Sequence, residues 1–135
     1  MAYKIATIEG IGPAYAEKLN QAGVNTTDDL LKRAASKKGR IELAQETGIS
    51  EKLILKWANH ADLFRIKGVA GQFAELLEAA GVDTVKELRH RVAANLHAKL
   101  VETNEAKNLC NRVPGEMEIQ LMIDQAKELD PVMTY

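Results

Sequence analysis

Disulfides, aromatic side chains and long apolar runs are nearly missing from this chain, and each scarcity removes a class of protein. Cys110 is the only cysteine in 135 residues, so no internal disulfide can form and a disulfide-stapled secreted scaffold is excluded. No apolar stretch approaches the roughly 20 residues a membrane helix needs. The opening "MAYKIATIEG" has neither the basic start nor the apolar run of a secretory signal. The expectation is therefore a soluble, reduced, cytoplasmic protein with no membrane partner. Aromatic residues make up 4%, so aliphatic side chains and alanine must fill the interior. No long run of one charge sign occurs, and the net charge is −1, whereas a dedicated nucleic-acid binder is usually basic.

Catalytic constellations are scarce as well. His60, His90 and His97 have no metal-ligand spacing with cysteine or carboxylate. Cys110 stands without a histidine near it in sequence, and "GIGP" lacks the Gly-Lys-Ser/Thr ending of a phosphate-binding P-loop. The expectation is a protein that is not an enzyme, with no cofactor, no metal and no small-molecule substrate.

What is present is a duplication. "IEGIGPAYAEKLNQAGVNTTDDLL" from Ile8 to Leu31 returns as "IKGVAGQFAELLEAAGVDTVKELR" from Ile66 to Arg89, with no gap. Identical pairs include Ile8/Ile66, Gly10/Gly68, Ala16/Ala74, Leu19/Leu77, Gly23/Gly81, Val24/Val82, Thr26/Thr84 and Leu30/Leu88. Such self-similarity has to be settled before any element is assigned. Each phrase reads as helix, turn, helix. Pro13 suits a first helical residue, and Tyr15, Ala16, Leu19 and Ala22 recur at helical spacing. Gly23 suits the residue that ends a helix. Thr26 reads as an N-cap with Asp29 three residues on, and Thr84 with Glu87 reads as the fuller capping box.

The rest of each half also corresponds. "GISEKLILKWANHADL" resembles "VPGEMEIQLMIDQAKEL", with Leu53, Ile54, Trp57, Ala58 and Ala61 forming one buried stripe. Ile119, Met122, Ile123 and Ala126 form the other. Helices around Arg40–Thr47 and Ala94–Leu109 precede them, and Asp130-Pro131 stops the last. Strand signals are nearly absent. The fold class expected is all-α, in two halves, 1–63 and 64–135, packed into one body.

"IEGIGPAYAEKL" resembles a helix-hairpin-helix motif, apolar–x–Gly–apolar–Gly–x–x–x–Ala–x–x–Leu, filled by Ile8, Gly10, Ile11, Gly12, Ala16 and Leu19. The following "LNQAGVNTTDDLL" is similar to the paired motif in the C-terminal domain of the bacterial RNA polymerase alpha subunit. It is also similar to the acidic repeats of a bacterial transcription elongation factor. Over nearly its whole length the chain resembles the helix-hairpin-helix family named domain of unknown function 4332. The resemblance implies two tandem helix-hairpin-helix pseudo-repeats of a SAM-like, double type.

It also implies where a ligand would sit. In DNA-binding members of the wider superfamily the glycine loop presents backbone N–H groups to a phosphate at a helix start, which suits the helix dipole. Carried over, the candidates are Gly10, Ile11, Gly12 and Ala14, aided by the basic Lys37, Lys38 and Arg40. In the second copy they are Lys67, Gly68, Val69 and Gly71. The loop carbonyls of some members hold a monovalent cation, which the resemblance permits here. The sequence departs from the pattern: Ala14 and Gln72 stand where DNA binders carry Lys or Arg, Glu9 flanks the first loop, and Ala70 replaces the second glycine.

"IELAQETGISEKLILKW" resembles a DNA-reading helix-turn-helix, but Ser50, Glu51, Lys52 and Lys56 form a poor base-reading set, and the repeat already explains the segment. The clusters Lys37-Lys38-Arg40 and Arg89-His90-Arg91 suit solvated helix ends as well as phosphate. Trp57 suits the core better than a stacking platform. The favoured function is a non-catalytic module that binds a protein partner through helical faces. The alternative is weak, sequence-nonspecific binding of DNA or RNA backbone through the Gly10–Pro13 hairpin.

Overall fold

Helix boundaries follow the punctuation of the chain. The computed structural model describes residues 3–69 and 71–135. Among them are a 3-10 turn at Ile5–Thr7 and α-helices α1 Pro13–Gln21, α2 Thr27–Ala34, α3 Lys37–Thr47 and α4 Glu51–Leu63. These are followed by α5 Gly71–Ala79, α6 Val85–Leu88, α7 Ala93–Lys107 and α8 Glu116–Glu128. No strand forms among the described residues beyond an isolated bridge between Lys4 and Thr26. The protein is all-α. None of its described helices is long and apolar enough to cross a membrane.

The residues fall into two units. One runs to Asp62 and is completed by Val132–Tyr135; the other is Leu63–Pro131. The last four residues, which follow the second half in sequence, thus pack with the first unit.

In the first unit Leu19, Val24, Leu30, Leu43, Ile54 and Trp57 are buried, and the predicted stripe of α4 supplies the last two. The chain entering α1 is zipped to the α1–α2 turn. The Ile5 N–H donates to the Asn25 carbonyl at 3.0 Å, and the Thr27 N–H to the Tyr3 carbonyl at 2.8 Å. Thr26 caps α2 by accepting from the Asp29 N–H at 3.1 Å, while the Asp29 carboxylate accepts from the N–H groups of Asn25 and Thr26. Those bonds, that from Asn25 foremost, hold the Asp29 carboxyl below its ordinary range. Ser36 caps α3 and Ser50 caps α4.

The second unit buries Leu76, Leu77, Val82, Leu88, Leu96 and Leu100, with Ile119, Met122, Ile123 and Ala126 of α8 as the expected stripe. Asn104 closes the C-terminal end of α7: its side-chain oxygen accepts from the N–H groups of Leu109 and Cys110, and its amide donates to the Cys110 carbonyl at 2.8 Å.

The details of one repeat return in the other. The Val24 N–H donates to the Leu19 carbonyl at 2.8 Å, and that of Val82 to the Leu77 carbonyl at 2.8 Å. Arg33 donates to the Ala22 carbonyl and pairs with Glu46 at 2.7 Å; Arg91 donates to the Gly81 carbonyl and pairs with Glu87 at 2.8 Å. The capping boxes differ from expectation in their order. The reciprocal one forms at Thr26–Asp29, whereas Thr84 accepts from the Glu87 N–H and the Glu87 carboxylate turns to Arg91. An arginine fork outbids a backbone N–H for a carboxylate because its bonds are charge-assisted on both sides.

Candidate functional site

The two glycine corners are built alike. At Ile8–Gly12 the buried Ile8 and Ile11 anchor a loop whose turn is made at Gly10, with φ of 93°. At Ile66–Val69 the buried isoleucine and valine flank Gly68, with φ of 95°. An L side chain rarely adopts that backbone. Each glycine also lies over a side chain of the last helix of its own unit. A β-carbon on Gly10 would stand 3.6 Å from Trp57 Nε1, and one on Gly68 would stand 3.3 Å from Met122 Cε. Trp57 is buried and meets the Tyr15 ring edge-on, with centroids 5.1 Å apart, so it forms the floor under the first corner.

Gly12 differs from Gly10. Its backbone is extended, with φ −83° and ψ −179°, and nothing lies within 4 Å of where a β-carbon would be. Gly10→Ala is therefore expected to cost about 1–2 kcal/mol of stability through backbone strain, and Gly12→Ala to change it by less than about 0.5 kcal/mol. Urea denaturation of both variants checks the pair; equal losses would show that the left-handed turn at Gly10 does not set the glycine requirement. Ala70, which takes the place of Gly12 in the second copy, lies outside the described residues.

Above the first loop is an open depression of about 370 Å³, lined by Ala6, Ile8, Glu9, Gly10, Ile11 and Gly12. Its donors are few. The Ile11 N–H is already bonded to the Ile8 carbonyl at 3.2 Å. No side chain caps α1, and Pro13 brings no N–H, so the helix start offers the N–H groups of Ala14 and Tyr15. The exposed Glu9 stands in the lining.

Of the basic residues grouped with this corner by sequence, none lines that depression. Lys37 and Lys38 are exposed in the first turn of α3. Arg40 is only 2% exposed, and its guanidinium donates to the carbonyls of Ala34, Ala35 and Thr134. It is a structural cation of the first unit, with its charge spent on backbone.

The second corner has a neighbour that no spacing announced. A depression of about 310 Å³ is lined by Gly68, Gly71, Gln72 and Phe73 from the repeat, and by Cys110, Asn111 and Arg112 from the α7–α8 connection. Arg112 pairs with Glu118 at 2.7 Å, which raises the arginine pKa further and holds the Glu118 carboxyl below the usual carboxylate range. The Val69 N–H is bonded to the Ile66 carbonyl at 3.2 Å, matching Ile11. The Lys67 N–H donates to Gln125 Oε1 at 2.9 Å, tying this loop to α8. Only the closeness of the α7–α8 connection to the loop brings Arg112 here; forty residues of intervening chain conceal it from any local motif.

The remaining candidates are mostly structural. Arg89 donates to the Lys127 carbonyl, and Arg91 to Gly81 and Glu87, so two of the three side chains of that cluster hold the second unit together. Ser50, Glu51 and Lys52 are exposed at the start of α4 and Lys56 is half-buried. Among the described residues no group of three or more His, Cys, Asp and Glu side chains could hold a metal ion.

An adenylosuccinate synthetase from Borrelia duttonii (strain Ly) is 30% identical over 96 residues, a stretch that covers 70% of this chain and 22% of that protein. The chain thus spans about a fifth of that curated relative's length. No solved structure matches. A family model described as Domain of unknown function (DUF4332) matches residues 9–129, and the chain belongs to that family.

Proposed function

We propose that this chain is a non-catalytic binding module, made of two helix-hairpin-helix units, that engages another protein through a helical face. The paired corners at Gly10 and Gly68, with the same turn and the same loop hydrogen bond, support the helix-hairpin-helix reading. The observation that carries the protein-binding reading is on α8. Met117 is 83% exposed and Leu121 is 62% exposed, one helical turn apart on the same face. Single exposed apolar residues are ordinary on protein surfaces; two large ones one turn apart form a shared apolar patch, and this reading rests on that patch. Capture of partners from a native lysate, with and without nuclease, tests the reading. A protein that stays bound after nuclease treatment supports it, and one lost with nuclease argues against it.

The second reading, weak binding of nucleic-acid backbone, is favoured by the uncapped start of α1 beside the open first corner. It is opposed by Glu9 in that corner, by the occupied Ile11 N–H and by the burial of Arg40. A salt titration on duplex DNA decides it. Phosphate contacts would give a log–log slope of about −0.9 for each contact. The expected result is no measurable binding at low salt. A steep slope that is lost in a Lys37→Ala/Lys38→Ala variant would reverse the order of the two readings.

A further inference from the structure

The exposed face of α8 has a definite chemical pattern, and this inference rests on the protein-binding reading above. Along one stripe of the helix run Met117, Leu121, Asp124 and Glu128, at steps of four, three and four residues. All four are exposed. Beside the stripe lies an open groove of about 560 Å³ lined by Arg65, Leu121, Asp124, Gln125, Glu128 and Leu129. Its walls are held in place. Arg65 donates to the Asp130 carbonyl at 2.8 Å, and Gln125 is fastened to the backbone of Lys67. The groove's own lining is mixed, with Leu121 and Leu129 apolar, Asp124 and Glu128 acidic and Arg65 basic, while the stripe on the helix is apolar at Met117 and Leu121 and acidic at Asp124 and Glu128.

We propose that this face is a docking site for an amphipathic helix of another protein that presents one or two large aliphatic residues to Met117 and Leu121 and Lys or Arg to Asp124 and Glu128. Helix-in-groove recognition uses anchors at such spacing, and complementary charge sets both orientation and choice of partner. A second copy of this chain fits poorly. A parallel α8 would set Asp124 on Asp124 and Glu128 on Glu128, and an antiparallel one in register would set those carboxylates over Leu121 and Met117. Like charges repel in the first arrangement, and in the second carboxylates are desolvated against hydrocarbon.

The probes are two synthetic helical peptides of four turns. One carries leucines at i and i+4 and lysines at i+7 and i+11; in the other, glutamates replace the lysines. Fluorescence anisotropy against the full chain is expected to show saturable binding of the lysine peptide and roughly tenfold or weaker binding of the glutamate peptide. Leu121→Glu, at a position 62% exposed and so expected to leave the thermal melt unchanged, is expected to weaken the lysine peptide roughly tenfold or more. Asp124→Lys/Glu128→Lys is expected to invert the preference between the peptides. No binding, equal binding of the two peptides, or full binding by Leu121→Glu overturns the proposal. So does light scattering that finds a dimer in the wild-type chain and a monomer in Leu121→Glu, because the occupant is then a second copy. If the peptides fail but wild-type and Leu121→Glu chains capture the same nuclease-resistant partner, this face is wrong and the protein-binding reading stands. If no such partner is captured either, both fall.

Discussion

Arg40→Met is expected to lower the unfolding free energy by about 3–5 kcal/mol. The guanidinium is buried and donates to three backbone carbonyls: Ala34 at 3.0 Å, Ala35 at 3.1 Å and Thr134 at 2.8 Å. The first two belong to the end of α2, where carbonyls have no partner within the helix. The third belongs to the chain's final residues, which the arginine ties to the first unit. Tyr135 covers the guanidinium, 5.6 Å from ring centroid to the central carbon, and its hydroxyl meets Asn59 Oδ1 at 3.1 Å. The Thr134 N–H adds a bond to the Ala35 carbonyl at 2.8 Å. Methionine fills the volume of the aliphatic stem, so the loss isolates the hydrogen bonds from the packing. What remains is a buried Ala34 carbonyl and a part-buried Thr134 carbonyl without a donor, while the Ala35 carbonyl keeps the Thr134 N–H; a buried acceptor left unpaired costs about 1–3 kcal/mol.

Arg40→Lys keeps the charge but replaces a planar fork by a single point, and falls between the two. Urea denaturation measures the loss, and hydrogen exchange at the Thr134 amide shows whether the tail is released. A loss below about 1 kcal/mol, with Thr134 still protected, would mean that the carbonyls find other donors and that the arginine is replaceable.

The second large effect runs against ordinary helix propensity. Glycine within a helix is usually improved by alanine, by up to about 1 kcal/mol. Gly39→Ala is expected instead to destabilise by about 3 kcal/mol, because a β-carbon at that position would stand 2.0 Å from the Arg33 carbonyl oxygen. The same β-carbon would stand 3.1 Å from the Arg33 carbonyl carbon and 3.3 Å from Ser36 Oγ. Backbone cannot swing aside as a long side chain can, so α2 and α3 would have to part. The Ser36 cap is strained at the same time, since its hydroxyl accepts from the Gly39 N–H at 3.1 Å. Thermal and urea unfolding of Gly39→Ala measure the effect, with Gly12→Ala as the control for glycine replacement at an open position. A stabilised Gly39→Ala would show that the α2–α3 turn relaxes at little cost.

Much of the fold was legible along the chain, for identifiable reasons. Pro13 and Gly23 act through their own backbone angles, and Thr26, Ser50 and Thr84 through bonds to residues three positions away, so their effects can be read locally. The stripe Ile119–Met122–Ile123–Ala126 is buried as its helical periodicity required, and so are Ile54, Trp57, Ala58 and Ala61, while Leu53, expected in the first stripe, is only half-buried. The site was less legible. Lys37, Lys38 and Arg40 read as one basic cluster, yet the first two are exposed and the third is buried. Charge and spacing alone do not say which way a side chain turns on a short helix. The environment of Arg40 depends on carbonyls from α2 and on a partner 94 positions away, Thr134. Arg112 at the second corner was invisible for the same reason, and so was the role of Glu87, taken by Arg91 from the cap it was expected to serve.

The sequence by itself determined the all-α class, the duplicated glycine turns and the placement of most helix ends, because those depend on backbone preferences and on near neighbours. Only the tertiary structure decided which charges face water and which are consumed by backbone. It alone placed the final four residues on the first unit and left Met117 and Leu121 uncovered on α8. Burial of a charge or of an apolar face is settled by segments far apart in the chain, and no pattern within one helix records what the others bring against it.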